Sequence, residues 1–281
     1  MISLMIIKQI EFQKRKQIIF IIDHFFNSKE LYQSLKKTLP HIEIFWFETK
    51  KQALKKKNFL KNDHIFIDSD VGLRNWITLS LLKINLNKII LNIYEEGIGT
   101  YRNNLSKSSL KKTIFSAFGI GTHFGHFWGT ENIYVFNPTN YIKETRSKKN
   151  VVRIQGSLKT WIQNNDTKIK NIFPNLKNTE KFFKNQDHSE TAIIYLSGWK
   201  INTELMQCIC DKRNSFIKLH PHLKKKPDAH QFGKTIIIPN SIPAEIILLQ
   251  LIKNYKKIYV YHENSSSLHY VNDSKIIECT P

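Results

Sequence analysis

Three short polar clusters hold the side chains of this 281-residue chain best suited to chemistry. Glu95-Glu96-Gly97 follows the apolar run 88–94 (KIILNIY). Adjacent carboxylates repel and burial disfavours their charged form, so one of the pair suits general-base work near neutral pH. Gly97 is expected to let the backbone turn sharply and a ligand come close. His220-Pro221 follows the run 216–219. The proline biases His220 toward extended backbone, which fixes the ring so that it can donate to a phosphate or protonate a leaving group. Ser265-Ser266-Ser267 follows 257–261 (KIYVY), and hydroxyls and backbone N–H groups in such a loop can clasp phosphate oxygens. Each cluster taken alone also reads as an ordinary loop.

Other constellations carry less. Asp68-Ser69-Asp70 has the D-x-D spacing that can hold Mg²⁺ or Mn²⁺ on a nucleotide sugar. His123 and His126 stand in H-F-G-H, with no third ligand evident and a glycine that disfavours a helix. No GxGxxG follows the first strand and no GxxxxGK[ST] occurs, so dinucleotide-binding and P-loop readings fail.

The three clusters need strands to present them, and the patterning supplies these. Short β-branched runs at 18–22 (IIFII), 42–47, 64–67, 88–94, 133–136, 192–196 (AIIYL), 216–219, 235–238 and 257–261 read as strands. Helical spacing occupies 31–39 after the cap candidate Ser28, then 76–86, 203–212 and 244–254. This alternation implies parallel βαβ units, where ligands collect at the carboxyl ends of the strands. The glycines at 119, 121 and 125 mark a turn-rich connection, and the Asn/Lys-rich stretch through 185 reads as a crossing between two α/β halves.

Composition bounds the class. Lys+Arg number 43 against 23 Asp+Glu, a formal charge of +20, while 41% hydrophobic residues exclude a disordered chain. Basic runs such as 55–57, 111–112 and 224–226 are scattered, and Lys, Asn and Ile dominate as an AT-rich coding sequence would produce. A basic nucleic-acid-binding protein is the rival class. It calls for aromatics interleaved with clustered cations, whereas Phe45-Trp46-Phe47 and its like lie inside strand patterns. Three cysteines, 208, 210 and 279, support no disulfide framework and fit a reducing compartment. The apolar segment 1–7 is short and lacks the order of a secretory signal. The expected location is the cytoplasm, with peripheral contact to the inner face of an anionic membrane left open.

Taken in order, acidic-acidic-Gly, His-Pro and paired Ser resemble the motifs of the bacterial sialyltransferases and polysialyltransferases. The likeness is densest at 95–102 (EEGIGTYR). It continues in Phe118-Gly119-Ile120-Gly121, 133–138 (IYVFNP), 218–221 (KLHP), Ile238-Pro239, 242–245 (IPAE) and Ser265-Ser266. The resemblance implies a GT-B-like α/β fold, with two Rossmann-like domains facing each other across a cleft. The expected divisions are an acceptor-side domain over 1–150, a linker over 151–190 and a CMP-binding domain over 191–281. It implies inverting transfer of sialic acid from CMP-sialic acid to a glycan hydroxyl, in capsule or lipooligosaccharide synthesis. The alternative donor is a related CMP-activated acidic sugar, another nonulosonic acid or Kdo. The partners implied are the CMP-sugar donor and a glycan acceptor, lipid-linked or not, with no nucleic acid.

The roles follow motif by motif. Glu96 is implied as the base, with Glu95 supporting the loop, although which glutamate serves stays open. His220 is implied as general acid or phosphate ligand beside Pro221, Ser265 and Ser266 as donors to the CMP phosphate, and Glu245 as a ribose contact, with Gly97 lining the site. No metal or other cofactor is implied. The chain is short for the family, so insertions for acceptor recognition are expected to be missing.

Overall fold

Where β-branched side chains alternate with amphipathic runs, the chain builds parallel strands linked by helices. The structure is a computed structural model describing residues 1–10, 18–23, 27–56, 59, 63–85, 89–103, 109–185, 191–210, 212–223, 235–263 and 265–279. The basic triplets 55–57 and 224–226 fall in part or wholly outside these residues. The chain divides into two units, Met1–Arg15 with Lys50–Leu158, and Lys16–Thr49 with Lys159–Pro281. Elements below are numbered in chain order across both.

The first unit holds α1 (Ile2–Ile10), α3 (Lys50–Lys56), β3 (His64–Ile67), α4 (Leu73–Asn85), β4 (Ile90–Tyr94), α5 (Ser109–Ala117), β5 (Thr130–Val135), α6 (Pro138–Thr145) and β6 (Asn150–Arg153). Its sheet runs β3-β4-β5-β6 with every pairing parallel. Leu91, Ile93 and Phe127 are sealed from solvent beside Leu79 and Leu82 of α4. One polar line crosses this sheet. Asn150 donates to Asn132 at 2.6 Å, and Asn132 to the fully buried Asn92 at 2.8 Å, so the buried amide is partnered rather than stranded.

The second unit contains β1 (Ile18–Ile22), α2 (Ser28–Thr38) and β2 (Glu43–Phe47), and then α7 (Leu158–Asn164), α8 (Asp166–Ile172) and α9 (Asn175–Asn185). It continues with β7 (Thr191–Leu196), α10 (Thr203–Ile209), β8 (Ser215–Lys218), β9 (Ile236–Ile238), α11 (Ala244–Asn254), β10 (Lys257–His262), α12 (Ser267–Tyr270) and β11 (Ile276–Cys279). β1 and β2 pair in parallel, and the larger sheet has the order β11-β10-β7-β8-β9, also parallel throughout. From β7 the chain steps one way to β8 and β9, then returns past β7 to β10. The gap between β7 and β10 is therefore a topological switch point, where the loops part and a ligand crevice is expected.

The α/β class with parallel sheets is thus present. The stretch 151–190, expected as a linker, carries the helices α7, α8 and α9. Asn164, Lys168, Asn171, Lys177 and Asn178 face solvent. Ile169, Ile172, Leu176, Thr179 and Phe183 recur every three or four residues and are buried, which is helical amphipathicity. Lys16–Thr49, expected with the N-terminal half, belongs to the second unit, where Asn175 donates to Glu30 of α2 at 3.5 Å.

Candidate active site: two carboxyl edges

In the first unit the strands β3 and β4 end in four carboxylates with two different fates. Asp70 is fully buried and accepts from the backbone N–H of Gly125 at 2.9 Å, that of Phe127 at 3.0 Å and the Thr130 hydroxyl at 2.9 Å. Burial pushes its pKa up and these donors pull it back. Gly125 sits at φ 80° with no room for a Cβ, which would lie 2.4 Å from Ile133, so glycine is required beneath that carboxylate. Asp70 therefore anchors the loop ahead of β5, and its oxygens are committed. Glu95 is likewise buried, its Oε2 accepting from the Tyr101 hydroxyl at 2.5 Å and the Phe136 N–H at 2.9 Å. It ties the end of β4 to the 3₁₀ turn Ile98–Tyr101 and to the end of β5. These contacts give Glu95 the loop-supporting part.

Asp68 and Glu96 face outward instead. Lys50 at the start of α3 pairs with Asp68 at 2.6 Å, both partly exposed. Glu96 is exposed, with its N–H donating to the Thr100 hydroxyl at 3.2 Å. Water reaches its carboxylate, yet the protein around it still raises its pKa; the negative charge of Asp68 adds to that rise and the Lys50 ammonium opposes it. A solvent-reachable carboxylate held above the ordinary range is the state a general base needs. Gly97 corrects an expectation: at φ 172° its backbone is extended, and the turn is made by the 3₁₀ residues that follow. Beside that turn lies a cavity of about 280 Å³ lined by Ile98, Tyr101, Arg102, Asn103, Asn140 and Glu144.

The second unit's edge gathers the remaining expected residues around its switch point. His220 lies just past β8, and its N–H donates to Ser197 Oγ, past the end of β7, at 2.7 Å. Pro221 occupies the second position of a turn closed by the Leu223 N–H donating to the His220 carbonyl at 3.0 Å. The His222 N–H donates to His220 Nδ1 at 3.3 Å, which leaves the proton of the neutral ring on Nε2. Burial, His222 and Lys218 together lower the His220 pKa to about 4. At neutral pH the ring is therefore an uncharged Nε2–H donor and holds no acidic imidazolium proton. Of its two implied roles, this state suits phosphate ligand and argues against general acid.

The serine loop and α11 complete this edge. The Ser265 N–H donates to His262 Nδ1 at 3.1 Å, while Ser265 Oγ accepts from the Ser267 N–H at 3.4 Å. Ser266 is the N-cap of α12 without a side-chain capping bond. Glu245, in the first turn of α11, accepts from the Ser267 hydroxyl at 3.1 Å, which aims it at the serine loop. A Cβ on Gly198 would stand 3.0 Å from the Glu263 carboxylate, so the loops after β7 and β10 come close. Beneath them Lys218 is buried, its Nζ donating to the Leu219 carbonyl at 2.6 Å and that of Asn240 at 3.4 Å. Desolvation lowers its pKa to about 8, against the pull of Glu245.

Sequence reasoning named Ser267, Lys218 and Asp68 within their motifs but missed the Ser267–Glu245 contact, the burial of Lys218 and the Lys50–Asp68 pair, and it gave Ser197 no role. Ser197 left a signal, a serine directly after a strand. Asp68-Ser69-Asp70 does not converge, since Asp70 is buried under Gly125 while Asp68 pairs with Lys50. His123 and His126 stack at 4.6 Å, and Thr122 Oγ1 lies 3.1 Å from His126 Nδ1. Among the described residues no cluster of three or more His, Cys, Asp or Glu is placed to hold a metal ion.

No family profile matches the chain, and no curated protein matches it. Among solved structures it is similar to the wall teichoic acid polymerase TagF, at 12% identity and a TM-score of 0.46 over 90% of this chain and 67% of that one.

Proposed function

We propose that this protein is a glycosyltransferase that moves an acidic sugar, sialic acid in the first instance, from its CMP-activated form to a glycan hydroxyl. The observation that carries the reading is the second unit's switch point. There the neutral His220 and the serine loop supply donors, and Glu245 is aimed at the serine loop. Departure of CMP builds negative charge on phosphate while the anomeric carbon becomes oxocarbenium-like. Donors belong on the phosphate side and a carboxylate on the acceptor side. Among the described residues Glu96, exposed and with a raised pKa, is a carboxylate suited to take the acceptor proton. His220 Nε2–H, Ser265 and Ser266 hold the departing phosphate, and Glu245 contacts the ribose. Attack on the face opposite CMP inverts the anomeric centre.

The test is CMP release from CMP-Neu5Ac across a panel of glycan acceptors in EDTA, for wild type, Glu96→Ala and His220→Ala. Wild type is expected to release CMP in an acceptor-dependent way and both variants to be impaired. Folded wild-type protein that neither binds CMP nor turns over the donor removes the reading. Turnover of CMP-Kdo in place of CMP-Neu5Ac moves it to the related sugar.

A further inference from the structure

A surface helix of a water-soluble domain buries one face and shows polar side chains on the other. In the first unit α4 breaks that rule. Its inner residues Leu79 and Leu82 are core, with Trp76 packed against them. Its outer face carries Leu73, Ile77, Leu81 and Ile84 at spacings of four, four and three, exposed by 49%, 46%, 56% and 62%. α5 and the residue after its end repeat the pattern. Leu110, Ile114 and Phe118 stand four apart and are exposed by 71%, 46% and 66%.

The two helices are joined at their ends. The Gly72 N–H ahead of α4 donates to the Gly121 carbonyl past α5 at 2.9 Å. Trp128, itself half exposed, lies against Gly119 and donates its indole N–H to Ser80 of α4 at 3.4 Å. Thirteen large hydrophobic residues are exposed among the described residues, and eight belong to this one region of α4, α5 and Trp128. Scattered apolar side chains are ordinary on a protein surface; a concentration of this kind marks a docking face.

Charge says what it docks to. Neither helix contains an aspartate or glutamate, while α4 carries the exposed Arg74 and the sequence of α5 adds Lys111 and Lys112; Lys83, largely covered, is committed to Glu131 and the Ile89 carbonyl and adds no net charge to the face. Lys149 donates to the Trp128 carbonyl at 3.1 Å, and the nearby Glu131 is paired with Lys83 at 2.6 Å. Two copies meeting through this face would set like charges against each other. A nucleic acid offers nothing to cover the leucine and isoleucine stripe. An anionic bilayer offers both parts, an acyl boundary for the stripe and Trp128, and negative headgroups for the cations.

We infer that the face formed by α4, α5 and Trp128 seats this protein on the surface of an anionic lipid bilayer, lying on it rather than crossing it. This is independent of the sugar transferred. The test is co-sedimentation of the full chain with vesicles of phosphatidylcholine, with or without about one third phosphatidylglycerol, at ~0.15 M salt. Wild type is expected to pellet with the anionic vesicles and to stay in solution with the neutral ones. Leu81→Ser with Ile84→Ser should reduce partitioning by about tenfold or more with unchanged circular dichroism, because both side chains are already solvent-exposed. Ile277→Ser, at an exposed apolar position in the second unit, should partition as wild type. Failure of wild type to bind anionic vesicles overturns the inference, as does equal binding by wild type and the double variant. A wild-type dimer that the double variant dissociates also overturns it, by making a second copy the occupant.

Discussion

The two carboxyl edges are built on the same parallel scaffold and carry different side chains. At the first, β3 and β4 end in carboxylates: Asp70 and Glu95 turned inward as hydrogen-bond acceptors for loops, Asp68 and Glu96 turned outward. At the second, hydroxyls, imidazoles and a buried ammonium stand at or past the ends of β7, β8 and β10: Ser197 accepting from the His220 N–H, the serine loop, and Lys218, with the Glu263 carboxylate close to Gly198. Neighbours in sequence need not share a task. Glu95 and Glu96 are one residue apart, and the alternation of side chains along extended backbone sends one into the packing and the other to solvent.

Breaking the first edge at its outward and inward members should separate these tasks. Glu96→Ala is expected to lower kcat for transfer by about 10²- to 10⁴-fold, the usual worth of a general base, while the urea midpoint stays near wild type. Asp70→Ala should do the reverse. Three donors lose their acceptor in a dry site, so stability should fall by about 4 kcal/mol in urea titration. Glu95→Ala, which strands Tyr101 and the Phe136 N–H, should cost about 3 kcal/mol. If Glu95→Ala instead removes turnover in a stably folded protein, the division between the two glutamates is reversed.

At the second edge the effect is smaller and concerns how His220 works. Loss of one hydrogen bond to a charged phosphate is worth roughly 1.5–3 kcal/mol, so His220→Ala should weaken CMP binding by about ten- to a hundredfold. His220→Gln, which keeps a neutral N–H donor, should recover part of that. With a folded pKa of about 4 the ring stays neutral from pH 6 to 8, so no histidine limb is expected in kcat/KM over that range. The same depression fixes a stability slope. The unfolded ring takes up a proton near pH 6.5 and the folded one only near 4, so acidification across that window favours unfolding. His220→Gln should flatten the slope; an unchanged slope would put the low pKa in doubt.

How much of this was legible follows the range of the interactions involved. β3 over 64–67 and α11 over 244–254 were readable to the residue, because a β-branched run and a 3.6-residue apolar period are local signals. α8 and α9 were not, because their apolar positions are few and diluted by Asn and Lys, so composition outweighed period. The three polar clusters stood out because each begins within three residues of a strand's carboxyl end. Their division of labour was not. Whether Glu95 or Glu96 is free depends on Tyr101 and on Phe136, 41 residues away. The D-x-D spacing can hold a metal, and only Gly125 and Phe127, arriving from 55 and 57 residues downstream, show that Asp70 is occupied.

The finest contrast lies within the first edge, between Glu96 and the pair that tunes it. The protein packed around this exposed side chain is the main cause of its raised pKa, and that contribution should survive a change of charge at a neighbour. The Asp68 charge is the next contribution, and Lys50, paired with Asp68 at 2.6 Å, works against it. Asp68→Asn removes the repulsion while keeping the side chain's shape, so Glu96 should ionise at lower pH. A base acts when deprotonated, so the acid limb of kcat/KM should move to lower pH in Asp68→Asn with the plateau little changed. Lys50→Met removes the opposing cation and should move the limb upward. Movement in opposite directions identifies Glu96 as the group whose ionisation limits the rate. Two variants that move together, or a limb that stays fixed in both, would assign that ionisation to a different carboxylate and leave Asp68 and Lys50 as surface partners only.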